Sequence, residues 1–327
     1  MKPANRLCLM CMVVILAGFS RTTPALCDTS DYLIRAVSLE GIRCIDVSAD
    51  GAYLVAGMES GKAHVYDTTT WQIVGTAEGH TQQLNAVAFA PNGYLFATGS
   101  EDSLVKLWRG PDPQYLATLD AAGSVHHIAF SPDDVHIAIG ADRAEVWNRV
   151  TQERIGRYSD STGDALAFTP DGSLLIGHYG GASRIRVWET EMWYETTSWR
   201  AGVNLTDLAA GRTGLVAYCN WDWDSVPVRV AATGELVAIL DSGATYSLSF
   251  SPSGRILATG DARRLLDPHE ADVKIWVVGA DRVAQIATFE GHTSTIRDVC
   301  FDPLGRWIAS CATDDGFAIW AIPQTDE

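Results

Sequence analysis

The 327-residue chain is short of positive charge, of cysteine and of long apolar runs, and each shortage excludes something. It has 24 lysines and arginines against 40 aspartates and glutamates, a net charge of −16 with histidine neutral. A carboxylate excess of that size repels phosphate backbones, which excludes nucleic acid as a general partner. Beyond the N-terminus no stretch reaches the roughly 18 consecutive apolar residues of a membrane helix. The motifs HExxH, GxSxG and paired CxxC at zinc spacing are all missing, so no catalytic or metal-binding constellation declares itself. What is present is a globular composition, 47% hydrophobic and 20% charged, with enough apolar residues for a substantial core.

The first 25 residues read as a secretory signal peptide. Lys2 and Arg6 precede the apolar run Leu7–Phe19, and Thr23 and Ala25 sit at the −3 and −1 positions of a cleavage site. An uncleaved anchor, or lipid modification at Cys27, are the rival readings. Cleavage removes three basic residues and no acidic ones, taking the net charge from −16 to −19. It leaves Cys27, Cys44, Cys219, Cys300 and Cys311, an odd set at irregular spacing and no disulfide framework. Only Cys300 and Cys311 fall close enough to pair. Buried free thiols are the reading that suits most of them. Residues 26–30 follow as a linker, 31–323 as one repeat domain, and 324–327 as a tail.

The repeat is the dominant signal. An apolar run and a polar turn recur as IDVSADG (45–51), VAFAPNG (87–93), IAFSPDD (128–134), LAFTPDG (166–172), LAAGRTG (208–214), LSFSPSG (248–254) and VCFDPLG (299–305). Successive turns end 42, 41, 38, 42, 40 and 51 residues apart. Each is followed by two more apolar runs, and five of the seven final runs end in tryptophan, at 108, 147, 188, 276 and 320. Short β-branched and aromatic runs between such turns are strands of a repeat architecture.

These residues resemble the WD40 repeat family. The marks are Gly79-His80, Gly291-His292, the SPDG-like turns and the tryptophan closing five of the third strands. The resemblance covers residues 31–322 and implies an all-β, seven-bladed β-propeller. The unassigned stretch Tyr32–Val37 is expected to supply the outer strand of the last blade and so close the ring. Two repeats match the family's structural tetrad, His80, Thr98, Asp102 and Trp108 in the second and His292, Ser310, Asp314 and Trp320 in the seventh. The remaining five repeats lack the Gly-His pair, and the fifth also lacks the tryptophan.

Other candidate features read as ordinary structure. Gly57–Ala63 echoes a phosphate loop but is one residue short. His126-His127 reads as one core and one rim histidine, and Asn220–Ser225 has the carboxylate spacing of a calcium loop without its glycine and glutamate. Asn204-Leu205-Thr206 is a glycosylation sequon. Trp71 and Trp193, five residues after Tyr66 and Trp188, read as packing at the outer turn of their blades.

By resemblance the chain is therefore expected to be a non-catalytic, monomeric scaffold that needs no cofactor and binds a protein or peptide outside the cytoplasm. An extracytoplasmic binder of a small molecule, glycan or ion is the alternative. Aligning the repeats puts seven polar residues where the innermost strands begin: Arg43, Asn85, His126, Asp164, Thr206, Tyr246 and Arg297. They are expected to ring the mouth of the central channel. Two unusual loops on the same face, with Trp221 and Trp223 in one and Arg263, Arg264 and His269 in the other, add aromatic and arginine side chains suited to an interface.

Overall fold

The computed structural model describes residues 32–323 except 159–164, 180–182, 203–204, 221, 263–270, 280–282 and 314. The described residues form 28 strands in seven four-stranded antiparallel sheets, and no helix. The chain begins with β1 (Leu33–Val37). Blade one is then β2 (Ile42–Val47), β3 (Tyr53–Met58), β4 (Ala63–Asp67) and β5 (Ile73–Ala77). Blade two is β6 (Leu84–Phe89), β7 (Leu95–Ser100), β8 (Leu104–Arg109) and β9 (Gln114–Asp120). Blade three is β10 (His127–Phe130), β11 (His136–Gly140), β12 (Ala144–Asn148) and β13 (Arg154–Arg157). Blade four is β14 (Leu166–Phe168), β15 (Leu174–Tyr179), β16 (Arg184–Glu189) and β17 (Glu195–Arg200). Blade five is β18 (Asp207–Ala210), β19 (Leu215–Cys219), β20 (Val226–Val230) and β21 (Leu236–Leu240). Blade six is β22 (Thr245–Phe250), β23 (Ile256–Asp261), β24 (Ala271–Val278) and β25 (Val283–His292). Blade seven takes β26 (Ile296–Phe301), β27 (Trp307–Ala312) and β28 (Gly316–Ala321), and is completed by β1 on the outside of β28. The ring is closed as the sequence predicts, with Leu33 opposite Trp320 and Val37 opposite Phe317.

The strands read as nearly continuous apolar runs because both faces of each blade are buried. Along β19, Val216 and Tyr218 face blade four, whereas Leu215, Ala217 and Cys219 face blade six. The buried apolar residues fall into seven clusters, one for each junction between neighbouring blades. No blade owns a core. Stability comes from stacking each blade on the next, as in other repeat architectures.

The turn that announces each repeat has one backbone construction, the closing N–H donating to the carbonyl three residues earlier, and in four blades a hydroxyl reinforces it. Ser48 Oγ donates to Asp50 Oδ1 at 2.6 Å and accepts from Tyr53 N at 2.9 Å. Thr169 and Asp171 repeat this in blade four. The closing residue takes a left-handed backbone in all seven copies, six times as glycine and once as Asp134 at φ 60°. A second left-handed position joins the third strand to the outer one. There Trp71 and Trp193 (φ 58° and 57°) turn their rings onto the preceding blade. Trp71 lies 5.8 Å from Trp307, and Trp193 lies 5.3 Å from both His136 and Tyr158.

All four described cysteines, Cys44, Cys219, Cys300 and Cys311, are free and buried, and burial pushes their thiols upward. Cys300 faces Ala309 and Cys311 faces Asp298 across the β26–β27 ladder, so the two thiols are not opposite each other.

Candidate channel-mouth site

The seven innermost strands surround a channel that holds a cavity of about 560 Å³. Of the seven residues predicted to ring its mouth, Arg43, Asn85, His126, Thr206, Tyr246 and Arg297 line this cavity. Asp164 lies outside the described residues. Four of the six, Arg43, Asn85, Tyr246 and Arg297, each sit at a break in the pairing register of their strand with the next. A bulge re-aims a side chain that a regular strand would point elsewhere, and here the same bulge recurs in four blades.

The two arginines come from adjacent blades, β2 and β26, and are held largely by neutral groups. Arg43 Nε donates to Asn85 Oδ1 at 3.2 Å, and its Nη1 lies 3.5 Å from Glu59 Oε1 in the β3–β4 loop. Arg297 Nε donates to Thr313 Oγ1 at 3.1 Å, and its guanidinium lies 5.1 Å from the centre of the Tyr246 ring. Both arginine partners from the second-to-third-strand loops confirm that those loops and the inner-strand starts share one face.

Below the mouth the wall contains three aspartates that the sequence reading did not single out. Asp46 accepts a hydrogen bond from Phe89 N (2.6 Å), Asp207 from Leu248 N (2.8 Å), and Asp298 from Ile45 N (2.9 Å). Each carboxylate thus ties the inner strand of its blade to that of the next. Burial pushes Asp46 up to about 6, and it also raises Asp207 and Asp298, the latter further through the nearby Asp207 charge. Across the channel His127 Nε2 lies 3.2 Å from Thr206 O and 3.9 Å from Asp207 Oδ1. This contact joins blades three and five directly, bypassing blade four between them. The available signal was an acidic residue inside an otherwise apolar inner run, as in Ile45-Asp46-Val47 and Asp298-Val299.

The tetrads lie between strands, away from the channel. In blade two His80 Nδ1 is 3.0 Å from both oxygens of Asp102, His80 Nε2 is 2.8 Å from Thr98 Oγ1, and Trp108 Nε1 donates to Thr98 at 2.9 Å. Burial holds His80 below its ordinary value despite the carboxylate, so the ring is neutral and accepts the threonine proton. In blade seven His292 and Trp320 converge on Ser310 at 2.7 and 2.8 Å. The carboxylate there is Asp315, 3.6 Å from His292 Nδ1 and accepting from Thr293 N as Asp102 accepts from Thr81 N. It comes one residue later than the predicted Asp314, which itself lies outside the described residues. The shift follows the backbone, because the left-handed residue after the carboxylate is Ser103 (φ 67°) in one blade and Gly316 (φ 96°) in the other.

Of the two loops expected to add hot-spot side chains, Trp221, Arg263, Arg264 and His269 lie outside the described residues. Trp223 is half-buried, with its ring 6.4 Å from Tyr218 and close against Gly202 of the neighbouring blade. It packs the junction of blades four and five instead of standing free. Among the described residues no group of three His, Cys, Asp or Glu side chains could hold a metal ion, and no helix is long and apolar enough to cross a membrane.

Comparison with known proteins agrees with this architecture. The WD40 family profile (WD domain, G-beta repeat) matches residues 37–67, 71–109 and 284–320. The chain is 26% identical over 268 residues to the B-type cell cycle switch protein ccs52B of Medicago truncatula, covering 76% of this chain and 52% of that protein. It thus spans about half the length of the curated relatives it matches. Among solved structures, the β-propeller domain of Myceliophteria thermophila Cps50 (Swd1) superposes with a TM-score of 0.76 at 15% identity, over 89% of this chain and 99% of that one. A chain of the Mitotic Checkpoint Complex superposes with a TM-score of 0.79 at 16% identity, over 97% and 100%. At such identities the likeness is one of fold. The chain thus contains WD40 repeats, matched over three stretches, and its described residues fold as a seven-bladed β-propeller.

Proposed function

We propose that the ring is a non-catalytic scaffold outside the cytoplasm, and that a protein or peptide partner docks across the face bearing the channel mouth. WD40 propellers are typically non-catalytic scaffolds for protein–protein interaction. The observation that carries the reading is the pair Arg43 and Arg297, two cations from neighbouring inner strands on one cavity, in a chain whose net charge is −16. An acidic side chain or C-terminus of the partner would engage both, displacing the half-exposed Glu59 from Arg43. The half-buried, packed Trp223 gives no support to a stacking site for glycans. Export rests on the N-terminal basic, apolar and small-residue pattern.

The partner is to be captured by affinity from the extracytoplasmic fraction of the source cells. A double Arg43→Ala, Arg297→Ala variant should then bind it about tenfold or more weakly. Trp71→Ala, on the outer turn, should bind normally. A folded double variant with full affinity would show that the face is wrong. N-terminal sequencing should find the exported chain starting near Leu26, and an intact Met1–Ala25 on a cytoplasmic protein would remove the export half of the proposal.

A further inference from the structure

Seven outer strands form the circumference of the ring, and each has one edge without a strand partner among the described residues. Natural sheets guard such edges with charge, glycine, proline or bulges, because an unguarded apolar edge recruits another strand. All seven are bulged against the third strand of their blade, and six add a charge or, in one case, a glycine covered by prolines. β1 has Arg35, β9 ends in Asp120, β13 is bounded by Arg154 and Arg157, β17 by Glu195 and Arg200, and β25 contains Gln285 and Glu290. β5 contains Gly75, against which Pro111 and Pro113 of blade two are packed. β21 has the bulge, at Val237, and nothing more. Its five residues Leu236-Val237-Ala238-Ile239-Leu240 are all apolar, and Leu236, Val237 and Ile239 are 45%, 36% and 61% exposed. Exposed Glu235 and Asp241 bracket it, and neither is in an ion pair among the described residues.

We infer that β21 is a second docking site, at which an extended segment of another protein, apolar or alternating and flanked by lysine or arginine, adds as an antiparallel fifth strand to blade five. The bracketing carboxylates decide the occupant. In an antiparallel pair centred on Ala238, the partner residues opposite Glu235 and Asp241 flank its own apolar run, and opposite charges there are favourable. A second copy of this chain in the same register would set Glu235 against Asp241 at both ends, and like charges directly opposite are destabilising. Strand addition takes its affinity from main-chain hydrogen bonds and its selectivity from side chains along the edge. This site is on the rim of the ring and stands independently of the channel-mouth proposal.

The probe is the labelled heptapeptide Lys-Val-Thr-Val-Thr-Val-Lys, compared with the same peptide carrying Glu at both ends. The basic peptide should bind more tightly by roughly tenfold, the order expected when two flanking pairs change from attraction to repulsion. Its binding should slow hydrogen exchange in β21 and leave the inner strands unaffected. A guarded variant, Val237→Lys with Ile239→Lys, should lose binding, and Glu235→Lys with Asp241→Lys should reverse the preference between the peptides. The second variant alters only exposed side chains and keeps the test decisive if the first folds poorly. Absence of binding, equal binding of the two peptides, or protection elsewhere would overturn the proposal. So would a concentration-dependent dimer lost in the guarded variant, since self-pairing is what the carboxylates are argued to prevent.

Discussion

Blades seven, one and two and blades three, four and five share a topology but solve the same polar problem differently. The first arc contains all three repeats matched by the family profile, both histidine tetrads, and two of the three aspartate links between inner strands. In the second arc the threonine or serine position of the tetrad is refilled in every blade. Ile139 stands where blade two has Thr98, and the Trp147 indole donates instead to buried Glu145, which also pairs with Arg154 and Arg157. In blade five Arg229 occupies the tryptophan position and donates to the Tyr218 hydroxyl at 3.0 Å, so a donor still meets a hydroxyl where the indole would have been. Blade four has Gly177 at the hydroxyl position, directly under the Trp188 ring. The comparison separates what the fold demands from what one solution supplies. Each blade must stack two apolar faces and satisfy its buried donors, and the tetrad is only one way to do the second.

The largest effect expected from this contrast is in truncation of the residue at the third-strand end. Trp320 is 1% exposed and stacked on Phe289 at 5.2 Å. Trp320→Ala should therefore lower the free energy of unfolding by about 3–5 kcal/mol in urea titrations. Arg229→Ala in the other arc removes hydrogen bonds but little packed volume, and should cost about 1–2 kcal/mol. Equal losses would mean that the two arcs do not differ as described.

A second contrast is in pH dependence. Carboxyls raised by burial, as at Asp46 (about 6), contribute stability that is complete below their ordinary range near 3.8 and is lost as pH rises through the folded value. Histidines lowered by burial, as at His80 and His292, contribute stability present above 6.5 and lost as pH falls through their depressed values. Asp46→Asn keeps an oxygen acceptor for Phe89 N. Its stability relative to the native chain should therefore rise by on the order of 1 kcal/mol between pH 5 and 7. An unchanged difference across that range would mean that Asp46 does not hold its proton as inferred.

The smallest expected effect is at His127, the link between blades three and five. His127→Ala should cost about 1 kcal/mol or less, in keeping with a single partly exposed hydrogen bond. Hydrogen exchange should quicken in β10 and β18, with no change in β2 or β26. Loss of protection in the opposite arc would mean that the cross-channel contact braces the whole ring.

Much of this molecule was legible in its sequence because a strand and its turn are set by neighbouring residues. The seven turns, six ending in glycine and one in Asp134, fixed blade number and strand order, and the spare Tyr32–Val37 segment fixed the closing strand. Arg43, Asn85, Tyr246 and Arg297 could be aligned because they keep a constant offset from those turns. Asp46, Asp207, Asp298 and His127 escaped because their partners lie 41 to 253 residues away and depend on how blades meet. The packing of Trp223 escaped for a related reason. Its loop looks exposed within one repeat, but Gly202 of the neighbouring blade leaves a hollow that only the assembled ring reveals. The Asp315 shift escaped because counting back from Trp320 assumes a turn whose left-handed residue stays in place.

The pairing of β1 with β28 sets an order of events during synthesis. Leu33 and Trp320 are neighbours in one sheet but lie at opposite ends of the chain. At about 5–20 residues per second, β1 emerges roughly 15–60 seconds before its partner exists. Throughout that interval six blades can stack while Leu33 and Ile34 wait on a free segment and the last junction stays open. Synthesis of β28 therefore decides whether the ring becomes a ring, and a ribosome that stops before it releases an open crescent with an exposed apolar face at each end.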